Sequence, residues 1–237
     1  MNLKQLIENT VHSSWQAIVI AAITKMDAVY LKTLEQHDDW IPERINLFNA
    51  FRQPKEQVRY VMLGESPYPR AQSANGYAFW DAQVGQLWSE KGLSKAVNRA
   101  TSLRNFIKML LHAEGLLASP FLAQDIALLS KQGLILNIDA LFNKLLSHGF
   151  LLLNASLIWS NDLPVRYHAR HWHPFIHAIF ESLEHQEVKY LLFGKIAEKF
   201  KYLPQQHCLI TEHPYVLSFI ENPAVLDFFK PLSLLRV

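Results

Sequence analysis

The sequence predicts an α/β fold in which a central four-stranded, mostly parallel sheet lies between two layers of helices. Three observations lead to this prediction. Four short apolar runs have the length of strands, and helix-like segments separate them. The runs are apolar at nearly every position, which is typical of strands that are buried on both faces of a parallel sheet. The alternation of such strands with helices favours a three-layer α/β/α arrangement.

A polar or glycine turn follows each predicted strand, and these turns hold the candidate functional residues. The strands are RYVMLG at 59–64, FLLLNAS at 150–156, KYLLFG at 189–194 and HCLITEHP at 207–214. In open parallel sheets, ligands bind beyond the carboxyl ends of the strands. We therefore expect one cleft that receives a hydroxyl, a carboxylate, an amide, a cation and an imidazole. The residues that supply them are Ser66, Glu65, Asn154, Lys195 and His213.

Three segments are predicted as helices that cover the sheet, and two of them lie within the first 115 residues. TSLRNFIKMLLHAEG (101–115) begins with a Thr-Ser pair, which favours a helix N-terminus, and places its apolar residues three and four positions apart. Gly115 predicts the end of this helix. A further apolar helix is expected between about 15 and 35.

The histidine-rich segment HARHWHPFIHAIFE is a candidate metal site. His173 and His177 are four positions apart and would share a helix face, with His171 before them and Glu181 one turn beyond. The HExxH pairing of zinc enzymes is absent. We expect the helix to begin at HPFIHAIFESLEHQ and expect His168, His171 and His173 to lie in a polar loop, which is an ordinary place for histidine. The sequence therefore predicts no metal and no cofactor.

Composition sets broader limits on the protein. The 237 residues are 50% hydrophobic and 19% charged, which suits a single domain over 1–237 with a sizeable core. The formal net charge of +2 neither indicates nor excludes a nucleic-acid surface. Cys208 is the only cysteine, so a disulfide framework is absent. The apolar run 17–23 is shorter than the roughly 20 residues of a membrane span, and we expect a cytoplasmic protein that does not enter membranes.

The turn GES after the first strand allows a comparison with the nucleophile elbow of α/β-hydrolases. Ser66 would be followed along the chain by Asp139 or Asp162 and then by His213. That elbow needs a backbone N–H on the residue after the nucleophile, and here this residue is Pro67, which has none. The second glycine of G-x-S-x-G is also absent. The sequence therefore disfavours a serine hydrolase.

A third interpretation comes from a resemblance that extends over almost the whole chain. NLFNAF (46–51) resembles the hFNAF segment of the family-one uracil-DNA glycosylases, and GESPYPRAQSANGYAFW (64–80) aligns without a gap on their GQDPYHGPGQAHGLCFS motif. TSLRNFIKML resembles PSLKNIYKEL, FLLLNASL resembles VLLLNTVL, YLLFGKIAEK resembles LLWGxxAQ, and HPYVLS stands where the family has HPSPLS. Six segments in the same order argue against a chance match. The chain resembles the uracil-DNA glycosylase superfamily, closest to family one, with a divergent catalytic motif.

The resemblance implies a DNA glycosylase that flips uracil, or a related damaged base, out of DNA and hydrolyses its N-glycosidic bond in base excision repair. It implies that Asn154 reads the polar edge of uracil, that Phe79 stacks on the base and that Tyr68 excludes the 5-methyl group of thymine. Glu65, where the family has Gln, is a further substrate-binding position.

The two catalytic positions implied by the resemblance are His213 and Ser66. His213 would hydrogen-bond uracil O2 as negative charge develops on the base. Ser66 stands where the family has an Asp that orients the attacking water and stabilises the sugar cation. The alternative is therefore a catalytically impaired homologue that binds DNA or a flipped base.

The remaining positions implied by the resemblance would engage DNA. Leu217 would fill the space that the flipped base leaves, and Ser102 and Ser218 would hold the DNA backbone. Lys195 replaces a phosphate-binding residue of the family and offers a cation to a phosphate instead. The expected partners are single- or double-stranded DNA containing uracil and a glycosylase inhibitor protein, with the chain acting as a monomer.

Overall fold

The computed structural model describes residues 2–37 and 39–237. Its strands are β1 (Tyr60–Gly64), β2 (Trp88–Ser89), β3 (Gly92–Leu93), β4 (Phe150–Asn154), β5 (Lys189–Phe193) and β6 (Cys208–Thr211). Four of them form one sheet in the hydrogen-bonded order β4-β1-β5-β6, and β2 pairs with β3. Each of the four apolar runs therefore contains one strand of the sheet. The predicted α/β fold with a central four-stranded sheet is confirmed.

The helices lie before, between and after these strands. They are α1 (Leu3–Thr10), α2 (Ser13–Thr24), α3 (Ala28–Gln36), α4 (Lys95–Arg99), α5 (Thr101–Ala113), α6 (Ala123–Leu128), α7 (Ile138–Ser147), α8 (Val165–Glu181), α9 (Ile196–Lys199) and α10 (Pro223–Phe229). The predicted helix at 101–115 corresponds to α5, and Gly115 follows it with a φ of +69°. Its preceding residue is Ala100, whose side chain makes no capping hydrogen bond, so the Thr-Ser pair lies inside the helix and does not cap it.

The chain divides into two compact units that alternate along the sequence. The first comprises 1–81, 149–191 and 205–207, and the second comprises 82–148, 192–204 and 208–237. The first unit contains β1 and β4, and the second contains β6 and α5. The prediction of a single domain over 1–237 stays a prediction.

The first unit has a core of strands and aromatic side chains. Strands β1 and β4 are parallel and in register from Tyr60 opposite Phe150 to Gly64 opposite Asn154. Every residue of β4 is buried, as expected for a strand covered on both faces. The register places the ends of the two strands side by side, so the turn after Gly64 begins next to Asn154.

The segment expected to form one apolar helix between about 15 and 35 forms two helices, α2 and α3. The reason is a local stop-and-start signal at residues 25–27. Lys25 ends α2, and the side chain of Asp27 accepts a hydrogen bond from the backbone N–H of Tyr30 at 2.7 Å. Asp27 is therefore the N-cap of a new helix.

The polar loop expected for His168, His171 and His173 is wrong, because all three lie inside α8. The helix predicted to begin at HPFIHAIFESLEHQ begins earlier, at Val165, and Pro174 lies in the interior of this 17-residue helix. The buried residues of α8 recur at helical spacing on both sides of the proline. They are His168, Trp172, Phe175, Ile176, Ala178, Ile179 and Phe180. Burial of this continuous face outweighs the hydrogen bond that the proline removes.

His168 is a structural histidine of the first unit. It is 2% exposed, and its ring contacts the hydroxyl of Tyr30 at 2.9 Å and that of Ser160 at 3.0 Å. Burial lowers the pKa of His168, and the charge of His171 lowers it further. Both ring nitrogens are thus satisfied by hydroxyl groups, which leaves His168 no coordination site for a metal.

Candidate active site

The first unit brings Asn154 and the glycine of the GES turn into direct contact. A Cβ atom added to Gly64 would lie 2.4 Å from Asn154 Oδ1 and 3.0 Å from the Cβ of Ala78. The first distance is far below van der Waals contact, so a side chain at position 64 and the present position of the Asn154 amide are incompatible. Gly64 is therefore required by this close approach, and it leaves the amide room at the carboxyl end of the strand.

Asn154 is a buried polar residue whose amide is available for a ligand. The residue is 4% exposed, and its side chain has no hydrogen-bonding partner among residues 2–37 and 39–237. Its amide atoms are not among the side-chain atoms that are both fully buried and without a partner, so they remain accessible to water or to a ligand. A side chain that carries both a donor and an acceptor and is held in this state at a strand end is typical of a ligand-binding position.

Tyr68 and Phe79, eleven positions apart in the chain, are joined by a hydrogen bond. The hydroxyl of Tyr68 donates to the carbonyl oxygen of Phe79 at 3.1 Å. Burial raises the pKa of Tyr68 well above its usual range, and the nearby Asp81 carboxylate raises it further. The hydroxyl therefore keeps its proton at neutral pH and remains a donor. The two candidate pocket walls are therefore directly linked to each other.

Phe79 has a backbone conformation that is unusual for a bulky residue. Its φ is +65°, in the left-handed region that costs a non-glycine residue about 1–3 kcal/mol. The backbone N–H of Ala78 donates to the carbonyl of Leu152 at 3.1 Å, and the Tyr68 hydroxyl holds the Phe79 carbonyl. These bonds on both sides of Phe79 fix the conformation, and strain held in this way is typical of functional sites.

Arg70 and Asp81 form an ion pair that no pattern in the sequence predicts, and it connects the middle of segment 64–80 to the residue directly after it. Arg70 Nη2 lies 3.0 Å from Asp81 Oδ2, and Arg70 Nε donates to Ser73 Oγ at 3.1 Å. Asp81 is 3% exposed, whereas the Arg70 side chain is 63% exposed. The only signal in the sequence was an Asp directly after the apolar run YAFW, at a position that apolar neighbours mark for burial.

Ser66 and Glu65 lie at the exposed part of the turn. Glu65 is exposed, and its carbonyl accepts a hydrogen bond from the Ser156 backbone N–H at 3.1 Å. Ser66 is half-buried, and its hydroxyl contacts the carbonyl of Pro67 at 3.4 Å, which is a long and weak hydrogen bond. The hydroxyl can therefore turn towards a water molecule at little cost, but it brings no negative charge.

The second unit holds His213 in a defined ring orientation. The backbone N–H of Tyr215 donates to His213 Nδ1 at 3.1 Å, and the N–H of Val216 donates to the His213 carbonyl at 3.0 Å. Because an N–H group can donate only to a lone pair, Nδ1 carries no proton, and the neutral ring carries its proton on Nε2. The exposed imidazole can therefore offer an Nε2–H donor to a ligand.

Gly194 allows the strand end of β5 to approach His213 within the second unit. Its φ is +70°, and an added Cβ would lie 3.0 Å from the Cβ of His213. The N–H of Gly194 donates to the carbonyl of Thr211 at 2.8 Å. Lys195, the next residue, is exposed and precedes the short helix α9, so its cation faces solvent near the strand end.

The residues after His213 present an exposed apolar surface. The exposed fractions are 67% for Tyr215, 43% for Val216 and 70% for Leu217. Exposure of three adjacent apolar side chains to water is unfavourable, and such a patch is typical of a surface that another molecule covers. Ser218 follows them and is exposed, and Ser102 lies half-buried in the first turn of α5.

The predicted site residues thus fall into two groups. The first unit contains Glu65, Ser66, Tyr68, Phe79 and Asn154, and the second contains Ser102, Lys195, His213, Leu217 and Ser218. The expectation that all four strand ends serve one cleft stays a prediction. Within the described part of the chain, no three His, Cys, Asp or Glu side chains are grouped so as to hold a metal ion. No helix there has the length and apolar character needed to cross a membrane.

The fold and these strand-end groups define an α/β protein with polar ligand-binding positions at the carboxyl ends of its strands. The chain is 30% identical over 183 residues to the uracil-DNA glycosylase of Coxiella burnetii (strain Dugway), covering 75% of this chain and 68% of that protein. It is 28% identical over 222 residues to the enzyme of the same name from Streptococcus agalactiae, covering 87% and 85%. No protein-family model matches the chain. The chain belongs to the uracil-DNA glycosylase family.

Solved structures agree with this assignment. The wild-type UNG of Nitratifractor salsuginis is 37% identical and superposes with a TM-score of 0.93 over 99% of this chain and 96% of that one. The mimivirus uracil-DNA glycosylase is 17% identical with a TM-score of 0.60 over 90% and 71%, a likeness that concerns the fold alone. A mimivirus UNG variant has been crystallised in complex with UGI.

Proposed function

We propose that this protein is a uracil-DNA N-glycosylase, which hydrolyses the bond between deoxyribose C1′ and uracil N1 after the nucleotide has been flipped out of DNA. Water is consumed, and free uracil and an abasic site are the products. The observation that carries the proposal is the amide of Asn154, a residue that is 4% exposed, whose side chain has no hydrogen-bonding partner within the described residues and lies against Gly64. The names and similarity of the relatives favour this enzyme over a catalytically impaired homologue.

Asn154 has the right groups to distinguish uracil from cytosine. Its Oδ1 can accept from uracil N3–H, and its Nδ2 can donate to uracil O4. Cytosine presents the reverse pattern, an acceptor at N3 and a donor at the 4-amino group. Binding cytosine would leave buried polar groups facing like groups, which costs about 1–3 kcal/mol for each unpaired group. The proposal therefore assigns base selection to this one amide.

Phe79 and Tyr68 would form the apolar walls that hold the base. The Phe79 ring would stack on the face of uracil, and the Tyr68 ring would occupy the volume that the 5-methyl group of thymine needs. The hydrogen bond from the Tyr68 hydroxyl to the Phe79 carbonyl supports this assignment, because it sets the relative position of the walls before a base arrives. A site that is already formed loses less entropy when it binds.

His213 would stabilise the departing base. As the glycosidic bond breaks, negative charge develops on uracil O2, and a hydrogen bond to O2 becomes stronger in the transition state than in the ground state. The hydrogen bond from the Tyr215 N–H to Nδ1 leaves the Nε2–H to act as this donor. A neutral imidazole can play this role without transferring a proton.

DNA contacts are assigned to the exposed surface of the second unit. Leu217, which is 70% exposed, would enter the base stack, and Tyr215, which is 67% exposed, adds an aromatic face beside it. Lys195, Ser102 and Ser218 would contact phosphates, which supply affinity without reading sequence. Binding to DNA should weaken as salt is raised, because phosphate contacts release counterions.

The test of the proposal is release of uracil from single- and double-stranded DNA under single-turnover conditions. The unaltered protein is expected to release uracil, while cytosine and thymine remain in place. Asn154→Ala is expected to lower the rate by at least about 100-fold, because the amide holds the base in the geometry from which the glycosidic bond breaks. DNA binding in a salt series and thermal unfolding are measured in parallel.

Asn49→Ala is a matched control for this test. Asn49 is also a buried asparagine of the first unit, 6% exposed, but its amide already donates to Asn46 Oδ1 and to the Asn75 carbonyl. Its loss should lower stability while base selection is retained. If the unaltered protein binds DNA yet releases no uracil above the Asn154→Ala background, the chain is the impaired homologue and the enzyme proposal is wrong.

The Ser66→Asp variant is expected to excise uracil faster than the unaltered protein, by on the order of 100- to 1,000-fold. A carboxylate about 4 Å from the sugar cation contributes a few kcal/mol at an effective dielectric constant of about 20, and each 1.4 kcal/mol changes a rate about tenfold. Single-turnover rates give the measurement. Ser66→Asn is the control, since it has nearly the same shape as Asp without the charge. An equal rate for Asp and Asn would show that charge is not what limits the site.

The proposal extends to the setting of the reaction. Uracil-containing DNA is the substrate, the hydrolysis needs no cofactor, and the protein works as a monomer in the cytoplasm. An inhibitor protein of the kind found with a mimivirus UNG variant would compete with DNA. It would do so by covering the exposed surface around Leu217.

A further inference from the structure

Asn105 is a fully buried polar residue whose amide reaches the loop that follows His213. It lies on α5, is 0% exposed, and donates from Nδ2 to the carbonyl of Pro214 at 2.8 Å and to that of Tyr215 at 3.3 Å. Both carbonyls belong to the second unit, as does Asn105. One side-chain amide thus fixes two consecutive peptide groups directly after the candidate catalytic histidine.

The same short loop determines which ring nitrogen of His213 carries the proton. The peptide between Pro214 and Tyr215 carries on one side the carbonyl that Asn105 holds and on the other the N–H that donates to His213 Nδ1. Because a peptide group is planar, fixing its carbonyl also fixes the direction of its N–H. The amide of Asn105 is therefore connected to the imidazole through one rigid peptide unit.

The helix that carries Asn105 is held in place by core packing. Neighbouring residues of α5 are buried, and Phe106 packs edge-to-face on Phe229 with ring centroids 5.3 Å apart. The position of Asn105 is thus set by core packing and is independent of the exposed loop. The loop residues Tyr215 and Leu217, in contrast, are largely exposed.

The side-chain carbonyl of Asn105 lowers the stability of the folded protein. Its Oδ1 is buried and has no hydrogen-bonding partner among the described residues, and a buried, unsatisfied carbonyl costs about 1–3 kcal/mol. A leucine of similar volume would remove this cost but would leave the carbonyls of Pro214 and Tyr215 without this donor. What the amide gains at this position is therefore its hold on the loop after His213.

We propose that Asn105 is a positioning residue that, by holding the Pro214–Tyr215 peptide, keeps His213 in the neutral form with its proton on Nε2 and aims that proton at uracil O2. This inference rests on the proposed function for its catalytic consequence. The effect on the ring itself does not depend on catalysis. Asn105 contacts neither DNA nor base in this proposal and acts only through the loop.

The experiment combines ¹⁵N spectra of the histidine side chains with single-turnover uracil release, for the unaltered protein, Asn105→Leu and Asn105→Asp. In the unaltered protein, the neutral His213 ring is expected to show a protonated Nε2 and an unprotonated Nδ1. In both variants, a mixture of the two tautomers should appear, and the rate should fall by on the order of 10- to 100-fold, because a small misplacement of a catalytic group has effects of this size. The concentration of DNA giving half-maximal binding is measured in parallel, and rates at saturating enzyme are compared, because the same loop carries Tyr215 and Leu217, which are assigned to DNA contacts.

Asn98→Leu is the matched control. Asn98 is also an asparagine of the second unit, and its Nδ2 donates to a backbone carbonyl, that of Leu93, at 3.0 Å. Its replacement should change stability without altering the His213 spectrum. The proposal is overturned if the unaltered protein shows the Nδ1-protonated tautomer, or if the tautomers in Asn105→Leu or Asn105→Asp match those of Asn98→Leu. If the unaltered protein itself releases no uracil, the function proposal is wrong, while the spectra still decide the role of Asn105.

Discussion

A Gly64→Ala variant is expected to fold but to release uracil at least about 100-fold more slowly than the unaltered protein. The new methyl group would lie 2.4 Å from Asn154 Oδ1, so the amide must move away from its present position. Displacement of a substrate-reading group by about 1 Å is enough for a loss of this size. The measurement is the single-turnover rate on double-stranded DNA, with thermal unfolding to confirm that the variant is folded.

Gly85→Ala is the control for this prediction. An added Cβ at Gly85 has no atom within 4 Å, so alanine fits there without displacing anything. It should leave the rate unchanged and stabilise the protein slightly, because alanine restricts the unfolded chain. A Gly64→Ala variant as active as Gly85→Ala would mean that the Asn154 amide can relocate without loss of function, and the role assigned to Asn154 would be wrong.

The His213→Ala variant is expected to lose a factor of about 100 to 1,000 in the rate of uracil release. Removal of one hydrogen-bond donor that is aimed at a developing negative charge has effects of this size. The loss should appear in the maximal single-turnover rate, with little change in DNA affinity, because the contact to O2 strengthens mainly in the transition state. Rates over a range of enzyme concentrations separate the two effects.

His185→Ala is the corresponding control, since His185 is an exposed histidine of the first unit, between α8 and β5. Its replacement should change neither rate nor affinity. If His213→Ala instead weakens DNA binding and leaves the maximal rate intact, His213 contributes to affinity and does not stabilise the departing base.

The sheet could be predicted from sequence because four apolar runs of strand length alternate with helix-like segments, and their order defined β1, β4, β5 and β6. Burial on both faces holds for β4, in which every residue is buried, but not for β6, in which Ile210 is 46% exposed. The turn residues followed from the same reasoning. Asn154 was predicted as a strand-end group, and it does lie at the end of β4, opposite Gly64.

Other features depend on contacts that a local pattern does not contain. The helix predicted to begin at HPFIHAIFESLEHQ begins at Val165, because the buried face of α8 continues through Trp172 and His168. The link from Asp81 to Arg70 joins residues eleven positions apart. In the sequence, Asn105 is one polar residue of an amphipathic helix. Its hydrogen bonds to the carbonyls of Pro214 and Tyr215 become visible only in the structure.

The positive φ of Phe79 has a consequence for attempts to redesign base preference. Most residues that would widen the pocket cannot adopt this backbone conformation as easily as Gly or Asn, and β-branched residues adopt it least. A substitution at position 79 would therefore move the main chain and, with it, the carbonyl that holds Tyr68. Tyr68 has no such restriction, since φ is not positive there. Redesign for larger pyrimidines should accordingly begin with the size of the side chain at position 68.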